Sequence, residues 1–153
     1  MTWLVNHKRV AEVWMDEYIE YYYRREPFMR RRDAGDISAQ LKLKKDNNCK
    51  SFKWYMENVA YDVELSYPLQ PENQVWGEVR NVETRLCMDM MGQPIPGILG
   101  VSGCHGYGGN QLFRLNVEGQ LTSGEWCILV SGNRLQSNRC TKVVQDYCRS
   151  AGD

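Results

Sequence analysis

The first third of the chain places apolar and aromatic residues at helical spacing. Between residues 7 and 25 they recur every three or four positions, at Val10, Val13, Trp14, Tyr18, Tyr21 and Tyr22. Residues spaced in this way lie on one face of an α-helix. The pattern therefore predicts a single amphipathic helix over residues 7–25, which Pro27 ends.

Two shorter helical segments are predicted after this helix. Asp36 is suited to cap a helix that carries Ile37, Leu41 and Leu43. The aromatic run at residues 52–56, shortly after Cys49, predicts a further helical turn. Helices with such broad aromatic faces cannot bury those faces on each other alone, so we expect them to lie against a larger structure.

The pattern changes in the second half of the chain. Residues 60–75 contain two prolines and no sustained period, which is typical of a linker. From Trp76 onward, glycines separate short β-type runs such as residues 75–79 and 111–115. The predicted organisation is a helical part over residues 1–59, the linker, and a β-rich part over residues 76–153.

Composition and charge exclude some function classes. The 153 residues include 19 basic and 19 acidic side chains, so the formal net charge is zero and no global field attracts nucleic acid. The basic and aromatic cluster around residues 21–32 is interleaved with acidic residues, and we expect no nucleic-acid partner. No run approaches the roughly 20 apolar residues that span a bilayer, and no signal peptide is recognisable.

The cysteines indicate an oxidising compartment. There are six: Cys49, Cys87, Cys104, Cys127, Cys140 and Cys148. No C-x-x-C pair suggests zinc, and the glycine-rich surroundings favour disulfides.

The second half also contains a loose internal repeat. Cys87, Cys104 and Gln111-x-Phe are followed 40, 36 and 34 residues later by Cys127, Cys140 and Gln145-x-Tyr. Each copy is too small for a core of its own, so a disulfide and a buried aromatic side chain are expected to stabilise it. We expect Gln111 with Phe113, and Gln145 with Tyr147, to be core residues.

Four segments resemble one enzyme family. They are NHKRVAEVWMDEY at residues 6–18, GDIS at 35–38, CKSFKWYMENV at 49–59 and CHGYGGNQ at 104–111. All four resemble segments of the polypeptide N-acetylgalactosaminyltransferases, which start mucin-type O-glycosylation. The resemblance covers nearly the whole chain up to about Cys140.

The resemblance implies an α+β fragment. Residues 1–59 would be the helical C-terminal remnant of an α/β glycosyltransferase domain, and residues 76–153 an incomplete ricin-type β-trefoil lectin. It also implies a Golgi lumen location and weak binding of GalNAc-bearing glycopeptides, with the missing catalytic domain as a further partner. The family binds manganese through an Asp-x-His motif. That motif is absent here, so no catalytic or metal-binding residue is predicted and the chain alone is expected to be inactive.

The family's lectin repeats hold sugar hydroxyls with an aspartate, a histidine and an asparagine. The matching residues here are Asp89, His105 and Asn110. A carboxylate can accept two adjacent hydroxyls, and an amide can donate and accept at once. Many relatives have an aromatic residue where this chain has Ser102, and Tyr107 is the candidate to replace it. The alternative interpretation is that Asp89 merely caps a turn.

The internal repeat suggests which cysteines pair, and the resemblance implies that the partner of Cys49 lies in the missing catalytic domain. The expected disulfides join Cys87 to Cys104 and Cys127 to Cys140, which leaves Cys49 and Cys148 without a predicted partner in this chain. In the second repeat the acidic position is Leu129, which cannot accept a hydroxyl, so no sugar site is expected there.

Two further functions stay open at this point. The chain could be part of a complete, active manganese-dependent transferase that uses UDP-GalNAc, or a non-catalytic interaction protein that contains the same helices. The glycines around Tyr107 lack the Gly-Lys-Ser/Thr of a phosphate-binding loop and are expected to form a turn.

Overall fold

The computed structural model describes residues 2–92, 97–131 and 142–147. The chain divides into two compact units, Met1–Gln70 and Pro71–Asp153. The described part of the first unit is helical and that of the second is built mainly from strands. The mixed helix and strand content predicted from the sequence is therefore confirmed.

The first unit contains five α-helices and two 3-10 helices among its described residues. The α-helices are α1 (Thr2–Trp14), α2 (Ile19–Arg25), α3 (Ser38–Asp46), α4 (Phe52–Asn58) and α5 (Val63–Ser66), and the 3-10 helices are Asp16–Tyr18 and Pro27–Arg31. Of the helices that the structure describes, none is long and apolar enough to cross a membrane.

The single helix predicted over residues 7–25 is wrong, because the chain breaks at Asp16. This residue has a φ of 46°, in the left-handed region that the interior of a right-handed α-helix excludes. Its carboxylate accepts hydrogen bonds from Lys44 Nζ at 2.6 Å and from the backbone N–H of Phe52 at 2.9 Å. These contacts with two later segments stabilise the break between α1 and α2.

The predicted stripe contributes only in part to the core of the first unit: Val13 is buried and Tyr22 packs against the core cluster. Leu4, Tyr23 and Met29 form that cluster, whereas Val10 of the stripe is 58% exposed. Lys8, only 2% exposed, lies beside this cluster. Its Nζ donates to the Tyr23 hydroxyl at 2.9 Å and to the Met29 carbonyl at 2.9 Å, and it pairs with Glu12 at 2.7 Å.

Both shorter helices are present, but the predicted cap of the first is wrong, because Ile37 and not Asp36 is the N-cap residue of α3. The Asp36 carboxylate accepts the Ser38 N–H at 2.9 Å, at the start of α3. Ser51 caps α4 by accepting the Trp54 N–H at 3.1 Å. The stretch predicted as a linker contains α5 and the beginning of the first strand. The Tyr67 N–H, for example, donates to the Val63 carbonyl at the end of α5. The irregular composition of the stretch did not suggest this helix.

The described strands of the second unit form two antiparallel sheets. They are β1 (Asn73–Gly77), β2 (Leu86–Asp89), β3 (Gly97–Ile98), β4 (Gly100–Gly103), β5 (Phe113–Asn116), β6 (Leu121–Ser123), β7 (Trp126–Ser131) and β8 (Lys142–Tyr147). The larger sheet has the order β1-β5-β6-β7-β8-β3, and β2 pairs with β4 in the smaller sheet. The helical turn Gly109–Gln111 leads into β5.

The β2–β4 pair positions the candidate residues. Cys87 lies opposite Ser102, and Asp89 lies opposite Gly100. Side chains alternate between the faces of a strand, so Cys87, Asp89 and Ser102 share one face. A disulfide joins Cys87 to Cys104, which confirms that predicted pair.

The structure describes two of the four remaining cysteines, Cys49 and Cys127. Cys127 is in a disulfide, while its predicted partner Cys140 lies outside the described residues, as does Cys148. Cys49 is a free, exposed thiol. Gln145 and Tyr147 belong to β8, whose side chains are not among those described.

Candidate functional site

The four residues predicted for sugar binding lie together in the second unit. Asp89 is at the end of β2, and its carboxylate is buried with only 3% of the residue exposed. Asn110 Nδ2 donates to Asp89 Oδ1 at 2.6 Å, and His105 Nε2 lies 3.2 Å from Asn110 Oδ1. Tyr107, 67% exposed, stacks on the His105 ring with the ring centroids 5.6 Å apart.

The hydrogen bonds fix the orientation of each group in this chain of contacts. His105 Nδ1 accepts the backbone N–H of Tyr107 at 3.1 Å, so the ring proton lies on Nε2. Nε2 then donates to Asn110 Oδ1, which directs the Asn110 amide nitrogen to Asp89. The three predicted polar residues therefore form one continuous hydrogen-bonded relay, and Tyr107 adds an exposed ring at its outer end.

Asp89 accepts four hydrogen bonds. Oδ1 accepts from the Met91 N–H at 2.7 Å and from Asn110. Oδ2 accepts from Ser102 Oγ at 2.5 Å and from Gln111 Nε2 at 2.9 Å. Burial alone would raise the pKa of Asp89, but these donors favour the carboxylate and lower its pKa to about 2.

Gln111 and Ser102 have roles that the sequence did not reveal. Gln111 was predicted to be a core residue, and its 0% exposure confirms this, as does the 1% exposure of Phe113. The Gln111 amide also fixes two parts of the site. Its Nε2 donates to Asp89, and its Oε1 accepts the backbone N–H of His105 at 3.1 Å. Ser102, which the sequence marks only by the lack of an aromatic side chain, donates to the Asp89 carboxylate. The repeated Gln-x-aromatic motif was the signal that could have indicated the first of these roles.

The loop that carries His105 and Tyr107 is held by an acidic residue outside the predicted set. Glu78 Oε1 accepts the Gly106 N–H at 2.6 Å, and Glu78 Oε2 pairs with Arg80 at 3.3 Å. This contact anchors the loop, so the His105 ring stays beside Asn110.

The opposite face of the β2–β4 pair borders a separate apolar hollow. Leu86, Met88 and Val101 are among the residues that line it, and none of the four predicted sugar-binding residues does. The polar relay and this hollow are thus on different faces of the same small sheet.

The manganese that the resemblance implies finds no suitable ligands in the described part of the chain. One cluster of metal-ligating residue types occurs there, formed by Glu78, Cys87 and Cys104, with their ligand atoms within 4.8 Å of one another. The two sulfurs of this cluster are joined in the disulfide, and manganese prefers oxygen ligands. The cluster therefore does not fit a manganese ion.

Comparisons with known proteins indicate the family to which the chain is related. The model of the ricin-type beta-trefoil lectin domain matches residues 75–152. The probable N-acetylgalactosaminyltransferase 7 of Caenorhabditis elegans is 59% identical over 90% of this chain, which spans 23% of that relative. The human N-acetylgalactosaminyltransferase 7 is 45% identical over 90% of the chain, which spans 21% of it.

A solved structure extends the similarity to three dimensions. It is described as the crystal structure of GalNAc-T7 with UDP, GalNAc and Mn2+, and it matches 95% of this chain with a TM-score of 0.73 and 43% identity. The chain covers 26% of that structure. By its match over residues 75–152 the chain belongs to the ricin-type beta-trefoil lectin family, and its predicted resemblance to the polypeptide N-acetylgalactosaminyltransferases is confirmed.

Proposed function

We propose that this chain is part of a polypeptide N-acetylgalactosaminyltransferase of mucin-type O-glycosylation, and that its lectin unit binds GalNAc-type sugars weakly. The site consists of Asp89, His105, Asn110 and Tyr107. The observation that carries the proposal is their convergence in one relay, in a unit that belongs to a lectin family.

The chemistry of the relay suits a sugar ring. Asn110 is exposed at the surface, and its amide offers both a donor and an acceptor to ring hydroxyls. The exposed face of Tyr107 is available for the apolar face of a sugar, as aromatic rings are in many binding sites. Because the Asp89 carboxylate is nearly covered, contact with a hydroxyl requires one of its present donors to be displaced. Weak binding follows from that cost.

The first unit forms the C-terminal helices of a glycosyltransferase catalytic domain under this proposal. In support, large apolar residues of this unit are exposed: Trp54 is 43%, Tyr61 74% and Leu65 86% accessible. Several large apolar side chains exposed in one small unit are consistent with a surface that lies against more protein. The similarity to transferases also extends through the helical unit, since it covers 90% of the chain.

The whole enzyme would work in the Golgi lumen with manganese as its cofactor. The Cys87–Cys104 disulfide suits an oxidising compartment. The description of the similar solved structure names Mn2+ for that protein. GalNAc-bearing glycopeptides are the proposed partners of the lectin unit.

The binding site is tested with the full chain and a GalNAc-bearing glycopeptide, followed by NMR titration. We expect wild-type protein to bind with a Kd of about 1 mM, and Asp89→Ala to weaken binding at least about tenfold, since it removes the centre of the relay. Glu83→Ala is the matched control, because Glu83 is an exposed carboxylate of the same unit.

Two outcomes would contradict the proposed site. Equal affinity of wild type and Asp89→Ala would show that the sugar binds elsewhere. Equal affinity for the glycosylated and the unglycosylated peptide would show that no sugar is recognised. Asp89→Asn, which keeps the shape of the side chain, repeats the test if the alanine variant does not fold.

A further inference from the structure

Ser102 makes the same contact with Asp89 that a sugar hydroxyl would make. It lies on β4, opposite Cys87 and diagonal to Asp89. The Ser102 hydroxyl donates to Asp89 Oδ2 at 2.5 Å. The Gly103 carbonyl is the other acceptor near Ser102 Oγ, and it lies 3.5 Å from that atom. The single hydroxyl hydrogen is therefore directed to the carboxylate.

The carboxylate has no acceptor capacity left. Its two oxygens offer about four lone-pair positions, and four donors occupy them, two on each oxygen. The 3% exposure of Asp89 agrees with a group that is already fully satisfied. A ligand hydroxyl can reach this carboxylate only by replacing one of the four donors.

Ser102 is the donor that can be removed with the least disturbance. The Met91 donor belongs to the backbone, and Gln111 is fully buried. Asn110 is itself one of the polar groups offered to a ligand. Gln111 Nε2 also donates to Ser102 Oγ at 2.7 Å. When that contact is lost, the two hydrogens of Nε2 still have Asp89 Oδ2 at 2.9 Å and the Gly103 carbonyl at 3.0 Å as acceptors.

We propose that Ser102 determines the sugar affinity of this site as an internal competitor, since its hydroxyl occupies the Asp89 acceptor that a ligand hydroxyl needs. The inference rests on the proposed function, that is, on sugar binding at Asp89. It accounts for weak binding by a specific contact and not only by the absence of an aromatic residue at position 102.

The test compares the full chain with Ser102→Ala and Ser102→Thr, using methyl α-N-acetylgalactosaminide as the probe in an NMR titration. Removing one competing hydrogen bond to an ionised carboxylate should tighten binding by Ser102→Ala roughly tenfold or more. Ser102→Thr retains the hydroxyl and should bind as wild type does. Asp89→Ala, measured alongside, should lose binding.

A second measurement reports on the contact without a ligand. In Ser102→Ala the pKa of Asp89, followed by the NMR shift of its carboxyl carbon, should rise above the value of about 2 that four donors produce. In Ser102→Thr it should stay near that value. An unchanged pKa in Ser102→Ala would overturn the inference, because Ser102 would then not contribute to holding the carboxylate.

The binding outcomes separate this inference from the proposed function. If Ser102→Ala binds no tighter than wild type while Asp89→Ala still loses binding, the inference is wrong and the sugar site stands. If Ser102→Ala shows no binding while wild type binds, the inference is wrong and Ser102 instead supports the site. If wild type, Ser102→Ala and Asp89→Ala bind equally, both the inference and the site at Asp89 are wrong.

Discussion

The Asp89 relay makes the stability of the second unit depend on one ionised side chain, and Asp89→Asn measures this. The substitution keeps the size and shape of the side chain but replaces one acceptor oxygen by an NH2 group. That group would face hydrogen-bond donors such as Gln111 Nε2, which lies 2.9 Å from Oδ2 in the wild type. The variant therefore loses at least one hydrogen bond and brings two donors together.

The pKa of Asp89 determines how much the carboxylate contributes to the free energy of unfolding. Its folded-state pKa of about 2 is below the ordinary value of 3.8. A carboxylate with such a lowered pKa contributes roughly 2 kcal/mol to the free energy of unfolding at neutral pH. Because the pKa is lowered on folding, this contribution is complete above the unfolded pKa and is lost as the pH falls from about 4 to about 2.

The assay is urea unfolding of wild type and Asp89→Asn at several pH values, followed by the NMR signals of Trp76 and Trp126 in the second unit. We expect a stability difference of about 2 kcal/mol at pH 7 that shrinks as the pH approaches 2. Other carboxylates titrate in both proteins, so the difference isolates Asp89. A difference that stays constant from pH 7 to pH 2, or one below about 0.5 kcal/mol throughout, would refute the reasoning.

Two further predictions concern stability. Replacing Cys87 and Cys104 by alanine removes a disulfide between residues that are 17 positions apart. The free energy of unfolding of the second unit, measured by urea unfolding, should fall by about 3 kcal/mol. Cys49→Ser, at an exposed free thiol, is the control and should have no effect. Lys8→Met removes the three contacts of a buried ammonium and should destabilise the first unit by roughly 2 kcal/mol in thermal unfolding followed by circular dichroism. Lys45→Met, at an exposed position, is its control, and equal melting temperatures of the two variants would contradict the prediction.

The sequence predicted the parts of the molecule that depend on short-range patterns or on distinctive motifs. The helical run around Trp54 and the Cys87–Cys104 disulfide are both present in the structure. The convergence of Asp89, His105 and Asn110 followed from the resemblance and not from composition or spacing. Whether they bind a sugar stays a prediction.

The features that the sequence did not predict depend on long-range contacts. The break at Asp16 needs Lys44 and the Phe52 N–H, and a local hydrophobic period carries no information about either. Likewise, a serine at position 102 looks like a lost aromatic residue until the register of β2 and β4 places its hydroxyl beside Asp89. Both are consequences of tertiary structure that periodicity cannot encode.

The bend at Asp16 also constrains the order in which the first unit can assemble. The two groups that stabilise it are 28 and 36 residues further along the chain. During synthesis, the α1 segment leaves the ribosome well before either partner, and chains acquire such distant contacts later than neighbouring ones. The bend between α1 and α2 thus acquires its stabilising contacts only after Lys44 and Phe52 have left the ribosome.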